Sequence, residues 1–159
     1  MAKILMIQTL VQPFAGTAYL NGAAKSAGHE FILYLGTDIK KILVKIKKEV
    51  PDIIGFSIMT GLHNKAIEIS KEIKSHFEIP IIMGGPHATL FSEVIHEQCI
   101  DMICRGESEF VIIDLLNALE HNLPYHEINN LWVKFNGTIY KNCSLALFSI
   151  LCRIKSLPY

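Results

Sequence analysis

The chain has 159 residues, of which 50% are hydrophobic and 19% charged, the composition of one globular domain with a sizeable core rather than of a disordered segment. Fifteen Lys and Arg balance fifteen Asp and Glu, and a net charge of zero argues against nucleic acid or an acidic membrane surface as partner. Four cysteines (Cys99, Cys104, Cys143, Cys152) form no Cys-x-x-Cys pair, the N-terminus lacks a signal-peptide layout, and the apolar run at 145–152 is far short of a bilayer span. These features predict a cytoplasmic chain with reduced thiols.

Lys3 to Thr9 is a near-continuous apolar run, the pattern of a strand buried on both faces of a parallel sheet. Leu10 to Gly16 is a loop too long for a simple turn, and a helix is expected from Thr17 to Ala27, stopped by Gly28. Phe31 to Tyr34 is the second strand. Ile39, Ile42, Leu43, Ile46 and Val50 then fall at helical spacing with lysines opposite them. After Pro51-Asp52, the third strand is Ile53 to Ser57, and Ala66, Ile69, Ile73 and Phe77 mark the next helix. Ile81 to Met83 is the fourth strand, followed by Gly84-Gly85-Pro86 and a helix expected from Ala88 to Gln98. Asp101 to Cys104 is the fifth, and a helix follows from Glu109 to Glu120.

Five strand–helix alternations predict a doubly wound α/β domain, and right-handed crossovers favour the flavodoxin-like (Rossmann-like) order 2-1-3-4-5. Leu131 to Phe135 and Thr138 to Tyr140 flank Asn136-Gly137, a strong hairpin signal, and read as an appended two-stranded ribbon. The predicted organisation is therefore an α/β domain at 1–125, a hairpin at 126–142 and an atypical tail at 143–159.

Four strand ends gather glycine and polar residues on one rim: Gln12-Pro13-Phe14-Ala15-Gly16, Ser57-Ile58-Met59-Thr60-Gly61, Gly84-Gly85-Pro86-His87 and Arg105-Gly106-Glu107. Ligands of open α/β sheets bind on this rim. Each segment also has a plain reading as a β–α turn. Together they suit a large, mostly neutral ligand lying against bare backbone.

Several chemistries are excluded. No Gly-x-x-x-x-Gly-Lys-Ser/Thr phosphate loop and no Gly-x-Gly-x-x-Gly fingerprint occurs. The first loop lacks the Ser/Thr cluster that would wrap the phosphate of FMN, and Gln8-Thr9 and Ser57 stand where a response regulator needs acids. His63 and His87 are the rim histidines, and a loop histidine is more often solvated or helix-capping than a ligand. His96 and Cys99 lie three apart without further zinc ligands, while His29, His76, His121 and His126 read as surface residues. Glu107 and Glu109 are either an acid pair or, more simply, acids complementing a helix dipole. Met59 and Met83 read as core.

Gly55-Phe56-Ser57-Ile58-Met59-Thr60-Gly61, Met83-Gly84-Gly85-Pro86-His87-Ala88-Thr89 and Ile103-Cys104-Arg105-Gly106-Glu107-Ser108-Glu109 occur in that order. In sequence and spacing they resemble the N-terminal cobalamin-binding domain of class B radical S-adenosylmethionine (SAM) enzymes, the group of anaerobic magnesium-protoporphyrin monomethyl ester cyclases and many methyltransferases. The resemblance covers about residues 1 to 142. It implies a corrinoid on the rim, its dimethylbenzimidazole tail inserted between the sheet and flanking helices. Ser57 and Thr60 would contact the tail, and Gly84-Gly85 would make room for it. Gln12, Pro13, Phe14 and Gly16 would face the lower side of the corrin. Gly61, His87, Gly106 and Glu107 complete the expected cofactor-binding set.

In methionine-synthase-like B12 domains the first loop reads Asp-x-His-x-x-Gly, its histidine binding cobalt. Here Gly16 matches the glycine, but Val11 and Pro13 replace the Asp and His, so the resemblance implies base-off cobalamin without a histidine ligand. The Cys-x-x-x-Cys-x-x-Cys motif of the family's barrel is absent, which implies that this chain alone does not catalyse a radical reaction, and a radical SAM domain with its iron–sulfur cluster is expected in the full-length relative. Two other readings remain: a non-binding interaction module and, less favoured by the first loop, a flavodoxin-type electron carrier.

Overall fold

The computed structural model describes residues 1–10 and 14–143. Strand β1 (Lys3–Gln8) sends Ile4 and Met6 to one face of the sheet and Leu5 and Ile7 to the other, and all four are buried. This period-2 division between two apolar layers is what a near-continuous hydrophobic run produces when helices cover both sides. The same alternation runs through β2 (Glu30–Leu35), β3 (Ile53–Ser57), β4 (Ile81–Gly84) and β5 (Met102–Cys104).

Helices α2 (Ile39–Glu49), α3 (His63–Lys74) and α4 (Pro86–Leu90) bury Ile42, Ile46, Ile69, Ile73 and Ala88 in one layer. Helices α1 (Ala15–Ser26) and α5 (Glu109–His121) pack together on the other, with Ala24, Val111, Ile112 and Leu115 inward. Each fully buried Ile or Leu contributes about 1.5–3 kcal/mol. At the start of α2 the Asp38 carboxylate accepts the Lys41 backbone N–H at 3.2 Å. Asp38→Ala should therefore cost about 1 kcal/mol, read as a lower urea midpoint with an unchanged slope.

The five parallel strands follow the expected order 2-1-3-4-5, and the α/β class holds. Strands β6 (Leu131–Phe135) and β7 (Thr138–Lys141) change the account of the hairpin. Rather than hanging from the domain as a separate ribbon, β6 pairs antiparallel with β5, opposing Val133 to Met102 and Leu131 to Cys104, so the sheet continues to seven strands. Buried Leu131 and Val133 join the core on the α1–α5 side, which gives the hairpin reason to dock. Asn136 and Gly137 both have positive φ, 50° and 77°, as the tight turn requires.

The helix expected from Ala88 to Gln98 is not continuous. It breaks at Phe91 (φ −122°, ψ 69°), between α4 and a 3-10 turn at Ser92–His96. The Thr89 hydroxyl donates back to Gly85 O (3.0 Å) and accepts the Gly106 N–H (3.0 Å). Such i−4 back-bonding weakens a helix locally, and here it also serves a neighbouring loop. His29 is also no surface residue, being 4% exposed. Its Nδ1 accepts the Ala2 N–H, and Nε2 lies 3.1 Å from Asn117 Oδ1 on α5.

Candidate functional site

On the α1–α5 face, Gly55 stands in register between Met6 of β1 and Ile82 of β4, and Gly84 stands beside Ser57. Two glycines on one face of adjacent strands lower the floor of the sheet. A cavity of about 370 Å³ lies there, at the carboxyl ends of the strands. Its walls are the apolar Met6, Leu20, Ile82 and Ile112, with Ser57, Glu107, Ser108 and Glu109 as the polar groups. A volume above 300 Å³ with few polar groups is typical of a small-molecule or cofactor pocket.

Of the residues singled out in the sequence, Phe14, Gly16, Ser57, Gly84, Gly85, Gly106 and Glu107 line this cavity. Thr60, Gly61 and His87 do not appear in its wall, and Gln12 and Pro13 lie outside the described residues. Met6, Leu20, Gly55, Cys104, Ser108 and Ile112 were missed. Only Gly55 carried a local signal: a glycine inside an apolar strand marks a close approach. An added Cβ there would lie 3.0 Å from Met6 Sδ. Met59, expected in the core, is 41% exposed and lines the cavity, whereas Met83 is buried as expected.

Three loops hold the wall. In the first, buried Gln8 donates from Nε2 to Leu10 O (2.9 Å), and the Thr17 hydroxyl donates to Phe14 O (2.8 Å). In the second, Ile58 N donates to Gly84 O (2.8 Å) and His87 N to Ile58 O (3.2 Å), tying the end of β3 to α4. In the third, Asn130 Nδ2 donates to Glu107 O (3.3 Å), and the Arg105 guanidinium lies 4.7 Å from the centre of the Trp132 ring. Burial pushes the Cys104 thiol up to about 12. It is protonated at neutral pH and presents a small apolar surface rather than a nucleophile.

Of the two rim histidines, His87 is buried rather than solvated, and His63 is half-buried at the start of α3. His87 is 7% exposed and stacks on His63, with ring centroids 3.9 Å apart and planes 13° apart. Its other neighbour is the Phe91 ring at 5.0 Å. Among the described residues no cluster of three or more His, Cys, Asp or Glu side chains is arranged to hold a metal ion. Among them, too, no helix is long and apolar enough to cross a membrane.

The family model of the B12 binding domain matches residues 10–116. The chain belongs to that family. It is 36% identical over 106 residues to an uncharacterized methyltransferase from Pyrococcus horikoshii, covering 65% of this chain and 22% of that protein. It is 33% identical over 118 residues to the anaerobic magnesium-protoporphyrin IX monomethyl ester cyclase of Rubrivivax gelatinosus, covering 68% and 21%. The chain thus spans about a fifth of the length of these relatives.

Among solved structures, the cobalamin-dependent SAM radical enzyme OxsB with aqua-cobalamin and SAM superposes with a TM-score of 0.79 at 22% identity, over 92% of this chain and 23% of that one. The radical SAM methyltransferase TsrM from Kitasatospora setae gives 0.80 at 14% identity, over 90% and 30%. At these identities the superpositions establish a shared Rossmann-like fold.

Proposed function

We propose that this chain binds cobalamin with its nucleotide tail in the cavity between the sheet and helices α1 and α5. In this reading residues 1–125 are the corrinoid domain of a cytoplasmic protein and 126–142 extend its edge. The observation that carries the proposal is the low sheet floor at Gly84, beside Gly55 with Met6 packed over it, beneath a cavity of about 370 Å³.

The residues present fit such a group. Met6, Leu20, Ile82 and Ile112 would exclude water around a flat aromatic base. Ser57, Ser108 and Glu107 would accept or donate hydrogen bonds at its polar edge. Among the described residues no histidine lines the cavity, and Pro13 stands where such domains carry the cobalt-binding histidine, with Val11 in place of its Asp. That supports base-off binding without a protein imidazole.

Bound cobalamin would supply a cobalt centre able to carry a methyl group or take part in anaerobic ring chemistry. The chain's own task is to hold and orient it. The chain has no Cys-x-x-x-Cys-x-x-Cys of its own, so an iron–sulfur and SAM domain would share the reaction.

The test is a visible absorption spectrum after incubation with hydroxocobalamin and desalting. Retained corrin bands at one equivalent are expected, and their positions report whether the tail base has left the cobalt. Folded but colourless protein would refute the proposal and leave an interaction module.

A further inference from the structure

The stacked histidines lie outside the cavity wall, yet they bind together the two loops that shape it. Between β3 and α3, the segment 58–62 carries Met59 on the cavity wall and closes on itself through Leu62 N to Met59 O at 3.0 Å. His87 holds this segment from the β4–α4 side in two ways. Its backbone N–H donates to Ile58 O at 3.2 Å, and its Nδ1 lies 3.2 Å from Thr60 Oγ1. The imidazole is filled in on one side by His63, the first residue of α3, and on the other by Phe91. Nδ1 of His63 is buried without a hydrogen-bond partner, so the pair is not solvated through that atom.

We propose that His87 is a positioning residue that clamps the Met59–Thr60 segment against the cavity while its imidazole is uncharged, and that acid releases the clamp and with it the ligand. The groups facing His87 are Thr60 from the loop, His63 from α3 and Phe91 from the end of α4; of these, only His63 can carry charge. A proton on His87 would place a cation 3.9 Å from the centre of the His63 ring, so any charge there opposes it. The face of Phe91 would welcome a cation, but burial opposes it. Burial is the larger influence on His87 and the neighbouring His63 the second, and both hold it below the ordinary histidine range.

The sign follows. The closed clamp favours neutral His87, whereas the opened segment exposes an imidazole of ordinary pKa. Closure is complete above about pH 6.5 and weakens as pH falls below it, because the open form then binds more protons.

The experiment uses the whole chain and two readouts. The first is amide hydrogen exchange, corrected for intrinsic rate, at pH of about 7.5 and 5.5. Protection of Leu62 and His87 should fall about tenfold relative to Phe56 at the lower pH, a one-proton response over roughly one pH unit. In His87→Phe, which keeps a ring in the stack but has no proton to gain, relative protection should not change with pH. His63→Phe, the second variant should the first not fold, should show a reduced response.

The second readout is hydroxocobalamin affinity, taken as the ratio of variant to wild type at each pH so that the ligand's own titration cancels. This arm rests on the corrinoid reading, and its ratio should rise at low pH. Absence of corrinoid at every pH would refute that reading, and amide exchange alone would then decide the clamp. Wild-type protection independent of pH would overturn the clamp, as would variants that respond like the wild type.

Discussion

Gly85→Ala should destabilise the fold by roughly 3 kcal/mol, lowering Tm by roughly 6–12 °C. Gly85 has φ 95° and ψ −175°, a region open in practice only to glycine. Space gives no relief. A Cβ there would lie 2.9 Å from Ile58 O, 3.1 Å from Ile58 N and 3.3 Å from Ser57 Oγ. Two of those atoms are backbone and both are already engaged: Ile58 N donates to Gly84 O, and Ile58 O accepts from His87 N. Moving the chain to admit a methyl group would break the bonds that join β3 to α4. Urea unfolding with an unchanged slope would report the loss. A cost below about 1 kcal/mol would mean that this rim relaxes freely, contrary to the packing observed.

The order of the five parallel strands was legible because each is a short apolar run with turn residues behind it, and right-handed crossovers leave few ways to wind them. The hairpin itself was legible from Asn136-Gly137, but not its place in the sheet. That depends on Val133 finding Met102 across thirty residues of chain. The helix expected through Gln98 failed because Thr89 is committed to a distant partner, the Gly106 N–H, which local periodicity does not reveal. His29 reads as a surface residue until Asn117, 88 positions away, provides its partner.

At the site, the glycine-bearing loops announced the rim. The helical half of the wall was silent, since Leu20 and Ile112 look like any inward residue of an amphipathic helix. They become cavity residues because the sheet they face carries no side chain at Gly84 and only Met6 lies over Gly55. The resemblance to corrinoid domains named a cofactor that the residue chemistry alone left as a large neutral ligand.

The neighbouring glycine should behave in the opposite way. Gly84→Leu is expected to weaken hydroxocobalamin binding at least about 100-fold, about 2.7 kcal/mol, while leaving the unfolding midpoint at or slightly above that of the wild type. Gly84 is a β4 residue whose φ is not positive. The nearest atoms to a Cβ there would be Ser108 Oγ at 3.7 Å, Cys104 Cβ at 3.8 Å and Cys104 O at 4.0 Å, ordinary van der Waals distances. The backbone therefore accepts a side chain, and a strand loses less entropy without glycine. A leucine would, however, grow into the space bounded by Ser57, Cys104 and Ser108.

Equilibrium dialysis can separate a filled cavity from a damaged protein by adding cobinamide, which has the corrin ring but no nucleotide tail. If the tail occupies this cavity, the variant should lose its hold on hydroxocobalamin while binding cobinamide as the wild type does. Equal losses for both would place the obstruction under the corrin instead. Unchanged hydroxocobalamin affinity in a folded variant would show that the tail does not enter between the sheet and α5. Adjacent glycines thus serve separate ends: Gly85 is required by the backbone, and Gly84 by what the backbone is shaped to hold.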